Sequence, residues 1–546
     1  MGIHRTIAAL MAIVAAESIA TVDAAEKNIP ASTEIDRLLK AEVFDGVDKL
    51  KLAPRADDET FLHRVYLDVV GENPTPAEVT VFVLDPSKDK RERVVDRLLA
   101  DPRYGDNWAR YWRDVIVYRS SAGQPQFNTP VLQPLQIFLS DSLNRNDGWD
   151  KITRAFLQAE GLVSEHGETA MAMVHMAQTS NLAAETSRVF LGIQIQCAEC
   201  HDHPFDKWKR PQFHEFAAFF PRVGLQRERG GTGAAGFRIV GADDGPLVRP
   251  PTGGQGGARE HFMPDLKQPG ERGTMMQPVF FATGQKLETG ATDADRRGSL
   301  AAWMTAKENP WFSKALVNRI WAELVGEGFC EPVDDLGPDR NTAAPKAWEA
   351  LSRDFADHGY DLKRLLHDIL LSDAYQRECR PKRLPEQTPF AANVRQPLRA
   401  DPLIDVLSAA VGYNITGPTR APINSMVPAA VVGGTRAQLV AIFGYDPSLR
   451  RDEVTNTVPQ ALVLMNSALV NRRLDNPNTW FTEILSRTSN DDVVVTELYL
   501  RALARVPNDR ELAICRAHVK SVGNRGTALE DVFWSLLNSE EIRYRN

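Results

Sequence analysis

Asp57-Asp58-Glu59-Thr60-Phe61-Leu62-His63-Arg64-Val65-Tyr66-Leu67-Asp68-Val69-Val70-Gly71 reads as one complete helix. Acidic residues open it, apolar residues recur at Phe61, Val65, Leu67 and Val69, and Gly71 ends it. Pro74-Thr75-Pro76-Ala77-Glu78 starts the next helix, with Thr75 as its N-cap and Pro76 at the first helical position. Val94, Val95, Leu98 and Leu99 continue the helical spacing, and Trp108, Tyr111 and Trp112 read as core aromatics. The same periodicity returns over 300–304, 315–324, 346–358 and 362–371, then over 403–411, 460–469, 493–503 and 532–537. There is no internal repeat and no alternation of strand and helix. The pattern predicts a mainly α fold.

Between the helical stretches the sequence changes character. Gly230-Gly231-Thr232-Gly233, Pro250-Pro251-Thr252-Gly253-Gly254 and Gly256-Gly257 interrupt 223–294, with strand-like runs at 237–240 and 279–283. No Gly-Lys-Ser/Thr follows these glycines, so they form no phosphate loop. The expected organisation is two helical domains, 25–222 and 295–546, joined by an irregular Gly/Pro-rich segment with short β-strands.

Residues 1–24 read as a secretory signal peptide. His4 and Arg5 form a short positive start, an apolar run follows to Ala16, and Val22-Asp23-Ala24 offers a cleavage site. The expected location is therefore the periplasm or the cell surface. No later stretch is long and apolar enough to predict a transmembrane span in the mature chain. Of 546 residues, 25% are charged and the net charge is −8, with no long basic run, which argues against a nucleic-acid partner. Five cysteines are too few for a disulfide-stapled scaffold.

The chemistry concentrates in Cys197-Ala198-Glu199-Cys200-His201-Asp202-His203. Two thiols at this spacing can add to the two vinyl groups of one porphyrin, and the adjacent His201 then supplies a nitrogen to iron. The leading expectation is thus covalent heme c on Cys197, Cys200 and His201. Met171, Met173, His175 and Met176 upstream, and His214 downstream, are candidates for a second axial ligand. Three other readings stay open. A zinc or iron ion could take ligands from Cys197, Cys200, His201, His203 and Asp206 or His214. Cys197 and Cys200 could pair as a disulfide. The segment could also be a structural cluster of hydrogen-bonded histidines. Asp206 is a candidate to orient a histidine or to cap a helix, and Phe205 and Trp208 to wall an apolar pocket.

The segment from Phe190 through Trp208 resembles the signature of the planctomycete PSCyt-two family, a domain of unknown function often found beside cytochrome c domains. Asp58 through Asp68, Pro74-Thr75-Pro76 and Tyr111-Trp112-Arg113-Asp114 fit the same resemblance. The second half resembles the companion PSD-one family at Asn309-Pro310, Val317-Asn318-Arg319-Ile320-Trp321 and Pro332-Val333-Asp334-Asp335-Leu336-Gly337. Pro459-Gln460-Ala461-Leu462 and Leu536-Leu537-Asn538-Ser539-Glu540 fit it as well. The resemblance implies a two-domain architecture and a planctomycete-type bacterial source, and it supplies no established activity. A small cytochrome c carries its motif near its start, whereas here the motif lies deep in the chain.

The functional expectation is an exported c-type heme protein acting in electron transfer or oxidoreduction with a redox partner protein. The alternatives are a binding or scaffold protein with a structural Cys/His metal site, and an enzyme acting on extracellular polymers. For the last, Glu331, Asp334 and Asp335 are candidate acid–base carboxylates and Arg319 a candidate anion ligand, against a structural ion-pair network.

Overall fold

A computed structural model describes residues 31–546, excepting 49, 121–124, 229–235, 244–259, 269–270, 272, 382–386, 413–433, 456 and 467–479. The expected signal segment and the two Gly/Pro clusters around 230 and 254 lie outside the described residues. The protein is mainly α, with 58% helix against 6% strand.

The helix Asp58–Val69 forms as its sequence dictates. Asp57 caps it by accepting from Thr60 N (2.8 Å), and Gly71 closes it at φ +73, a conformation that costs glycine nothing. Phe61, Leu62, Val65, Tyr66, Leu67 and Val69 are all buried, so the helix is central and not a one-sided surface element. The following helix, Pro76–Leu84, opens with a reciprocal capping box between Thr75 and Glu78. Trp108, Tyr111 and Trp112 on Arg103–Val117 are fully buried, and Trp112 stacks 4.1 Å from Trp149 on Trp149–Leu157. Burying each such side chain is worth about 1.5–3 kcal/mol, which anchors these two helices.

Three strands form a small antiparallel sheet in the order β1 (Gly161–Leu162), β3 (Phe237–Gly241), β2 (Val223–Arg227). Ile239 pairs with Gly161 on one side and Leu225 on the other. The expected strand at 237–240 is thus present. The one at 279–283 is not. Val279 makes a single bridge to Lys286, and the chain turns because Gly284 N donates to Phe280 O (2.7 Å). Phe280 and Phe281 point their rings into the core beside Phe216, which is why the run looked like a strand.

Among the described residues, buried apolar side chains fall into two clusters. The larger spans Ile35 to Phe390, with Leu500 and Ala504, so it takes in helices on both sides of 223–294. The smaller gathers Leu67 with residues from 400 to 542. Polar ties reinforce the joint. Buried Arg64 donates to Asn546 O (2.8 Å) and Arg377 O (2.9 Å), and Arg545 pairs with Asp68 (2.8 Å). No helix among the described residues is long and apolar enough to cross a membrane.

Candidate functional site

The approach to the cysteines is built from three short elements. The helix Thr179–Thr186 runs into a π-turn, Ser187–Leu191, and Gly192 reverses the chain at φ +66. A 3-10 turn, Ile195–Ala198, then carries Cys197. Widened turns of this kind often occur where a helix must present side chains to a site. Here Glu185, at the end of the helix, and Arg188, on the turn, are both buried, and the guanidinium grips one carboxylate oxygen through Nε (2.9 Å) and Nη2 (2.6 Å).

The loop carrying Asp334 closes on this approach from the other half of the chain. Leu336 N donates to Gly192 O (2.7 Å), and Gln194 Nε2 donates to Asp334 Oδ1 (2.9 Å). Arg188 and Arg119 reach the other Asp334 oxygen at 3.3 and 3.4 Å, and Arg319 lies 3.9 Å away. Burial alone would raise the Asp334 carboxyl; the three arginines outweigh it and hold the group below the usual carboxylate range. Asp334 and Arg319 are therefore partners in one ion-pair network. Glu331 accepts from Gly328 N (2.6 Å) and is pushed up by burial, as is Asp335, whose partner Arg340 opposes the shift.

Against the approach to the cysteines lies a cavity of about 320 Å³. Cys197 and Gln196 stand at its edge, with His175, Asn181, Glu185 and Gln194 around it. Burial drives His175 down to about 4, so its imidazole is neutral at pH 7.

Cys197 and Cys200 are exposed and in no disulfide. His201 is exposed, and its Nδ1 lies 2.7 Å from Asp202 O. A carbonyl can only accept, so Nδ1 carries a proton, and in the neutral ring Nε2 then presents the lone pair. This is the tautomer that a histidine needs to bind a metal through Nε2. His203 is buried and its Nδ1 accepts from Phe205 N (3.3 Å). His214 is engaged at both nitrogens. Its Nε2 donates to Glu199 O (3.0 Å), and its Nδ1 then accepts from His261 Nε2 (2.9 Å). Both rings are held down to about 4 by burial.

The sequence-read candidates thus separate. Cys197 and His175 share a cavity, whereas Met171, Met173 and Met176 are buried in the larger core. Among the described residues, the group of three metal-ligating side chains with donor atoms within 4.8 Å of one another is Glu92, Asp96 and His367, away from the cysteines. Among the described residues, Asp206 bonds no histidine and caps no helix. It accepts from Lys207 N (2.7 Å), and its buried side chain packs so tightly on Gly337 that a Cβ there would collide with it. Trp208 packs on Phe281 (5.1 Å), while Phe205 is exposed.

Several site residues escaped the sequence. Glu185 and Arg188 carry a signal, since charges three apart inside an apolar run must be paired once buried. Arg119, Asn181 and His261 carry none, because only the fold brings them in.

Residues 34–224 match the model of PSCyt2, a protein family of unknown function (DUF1549), and residues 296–519 match that of PSD1, also of unknown function (DUF1553). The chain carries a PSCyt2 region followed by a PSD1 region. The motif cysteines belong to the PSCyt2 region, and Asp334, which accepts from Gln194 ahead of them, belongs to PSD1. No curated protein and no solved structure matches the chain.

Proposed function

We propose that this chain is a c-type heme protein acting in electron transfer or oxidoreduction in the periplasm or at the cell surface. The observation that carries the reading is His201, whose Nδ1 is committed to Asp202 O and whose Nε2 is left as a lone pair beside two exposed, unpaired thiols. That donor set fits heme c. Cys197 and Cys200 would hold the porphyrin by thioether bonds, and His201 would ligate iron. Bound heme supplies one-electron chemistry. His175 lines the cavity that Cys197 borders, and neither Cys200 nor His201 lines it. Arg188 and Glu185 keep that wall rigid by satisfying each other.

A small metal ion has less support. A tetrahedral site needs donors converging on one point at about 2.0–2.3 Å. His214 has both nitrogens bonded, and His203 receives Phe205 N.

Absorption spectroscopy tests the proposal. Protein expressed together with heme-attachment machinery should show a c-type pyridine hemochrome spectrum that is lost in the Cys197→Ser, Cys200→Ser double variant. A colourless protein would contradict it.

A further inference from the structure

The cavity beside Cys197 offers a hydrogen-bonding surface that heme attachment does not use. Its donors are largely spent internally. Arg188 gives Nε and Nη2 to Glu185, Nη2 also to Val115 O (2.7 Å), and Nη1 to Asp334. Gln194 Nε2 is given to Asp334, and Asn181 Nδ2 to Gln178 Oε1 (2.8 Å). Acceptors remain on the same residues. Among the described residues, Glu185 Oε1, Gln194 Oε1 and Asn181 Oδ1 receive no hydrogen bond, and the Gln196 amide makes none.

We propose that this cavity binds a neutral, hydroxyl-rich small molecule about the size of one sugar ring. Its volume of about 320 Å³ lies at the lower end of the roughly 300–1,000 Å³ of small-molecule sites. Hydroxyls match the lining because each can donate to an acceptor oxygen and accept from the Gln196 amide. An anion fits poorly. The Arg188 guanidinium is saturated by two carboxylates, and Arg119 is already paired with Asp446 (2.8 Å) and Asp334. A cation gains little, since the Glu185 charge is neutralised by Arg188 at 2.6 Å. The buried, mutually paired charges set the acceptors in place before the ligand arrives, so little ordering is left to do on binding.

The proposal stands apart from the heme reading, and its test separates the two. Titration calorimetry of the full-length protein as purified would use D-glucose, D-galactose, succinate and putrescine, with heme content read separately by absorbance. Asn181→Ala with Gln196→Ala removes two partners outside the ion-pair network, and Lys307→Ala is a surface control. The expected result is binding of at least one sugar, weakened about tenfold or more in the double variant, as loss of two hydrogen bonds implies, and unchanged in the control. No sugar binding, binding of succinate or putrescine alone, or equal sugar binding by a folded double variant would overturn it.

Discussion

Leu336 N donates to Gly192 O at 2.7 Å, so the PSD1 loop is pinned to the turn that leads into the PSCyt2 cysteines. The contact needs a bare residue at 192. Gly192 adopts φ +66, and a Cβ there would sit 2.8 Å from Leu336 Cδ1. Gly192→Ala should therefore lose about 1–3 kcal/mol from backbone strain, with crowding of Leu336 added. Denaturant unfolding would measure the loss, and Gly284→Ala, also at positive φ but with open space around its Cβ position, isolates the strain component.

Asp334 holds the second tie between the two regions. Replacing it with alanine leaves Arg188 and Arg319 buried without their shared carboxylate. Breaking a buried ion pair from one side costs about 3–5 kcal/mol, and a loss of that size is expected in the unfolding free energy. Asp335→Ala, which removes only the half-buried partner of Arg340, should cost less.

These ties explain what the sequence could and could not reveal. The helices were legible because their information is local: Asp57, Thr75 and Gly71 cap or end them as their side chains require. The cysteine motif was legible because its chemistry lies within seven consecutive residues. The cavity was not. Asp334 and Gln194 are 140 positions apart, and His214 and His261 are 47 apart across an irregular segment, so no spacing rule joins them. The strand expected at 279–283 is absent because the consecutive Phe280 and Phe281 are both buried in a turn, where a strand would send neighbours to opposite faces.

Stability should fall on acidification. Burial holds His63, His175, His214 and His261 at about 4, below the ordinary 6.5. From pH 6.5 down to about 4 the unfolded chain binds these protons and the folded chain does not, so stability drops across that window. His367 acts in the opposite sense. Asp368 and Asp96 push it up to about 9, so its contribution is complete below 6.5 and is lost as pH rises through 9. Thermal melts across pH should show a maximum near neutrality and a steeper acid limb. His367→Gln should flatten the alkaline side alone.

Thiol reactivity should divide the cysteines in heme-free protein. Cys197 and Cys200 are exposed, whereas Cys330 is buried and pushed up to about 11, and burial also raises Cys515. The thiolate is the reactive form. Maleimide under native conditions should label Cys197 and Cys200 quickly, and Cys330 and Cys515 only after unfolding, as read by peptide mass spectrometry.

Intact mass spectrometry of the denatured protein, made with heme-attachment machinery present, tests the central claim most directly. The expected result is a mass increased by one heme that survives denaturation and maps to the peptide containing Cys197 and Cys200. An unmodified mass with both thiols free to alkylate would contradict it.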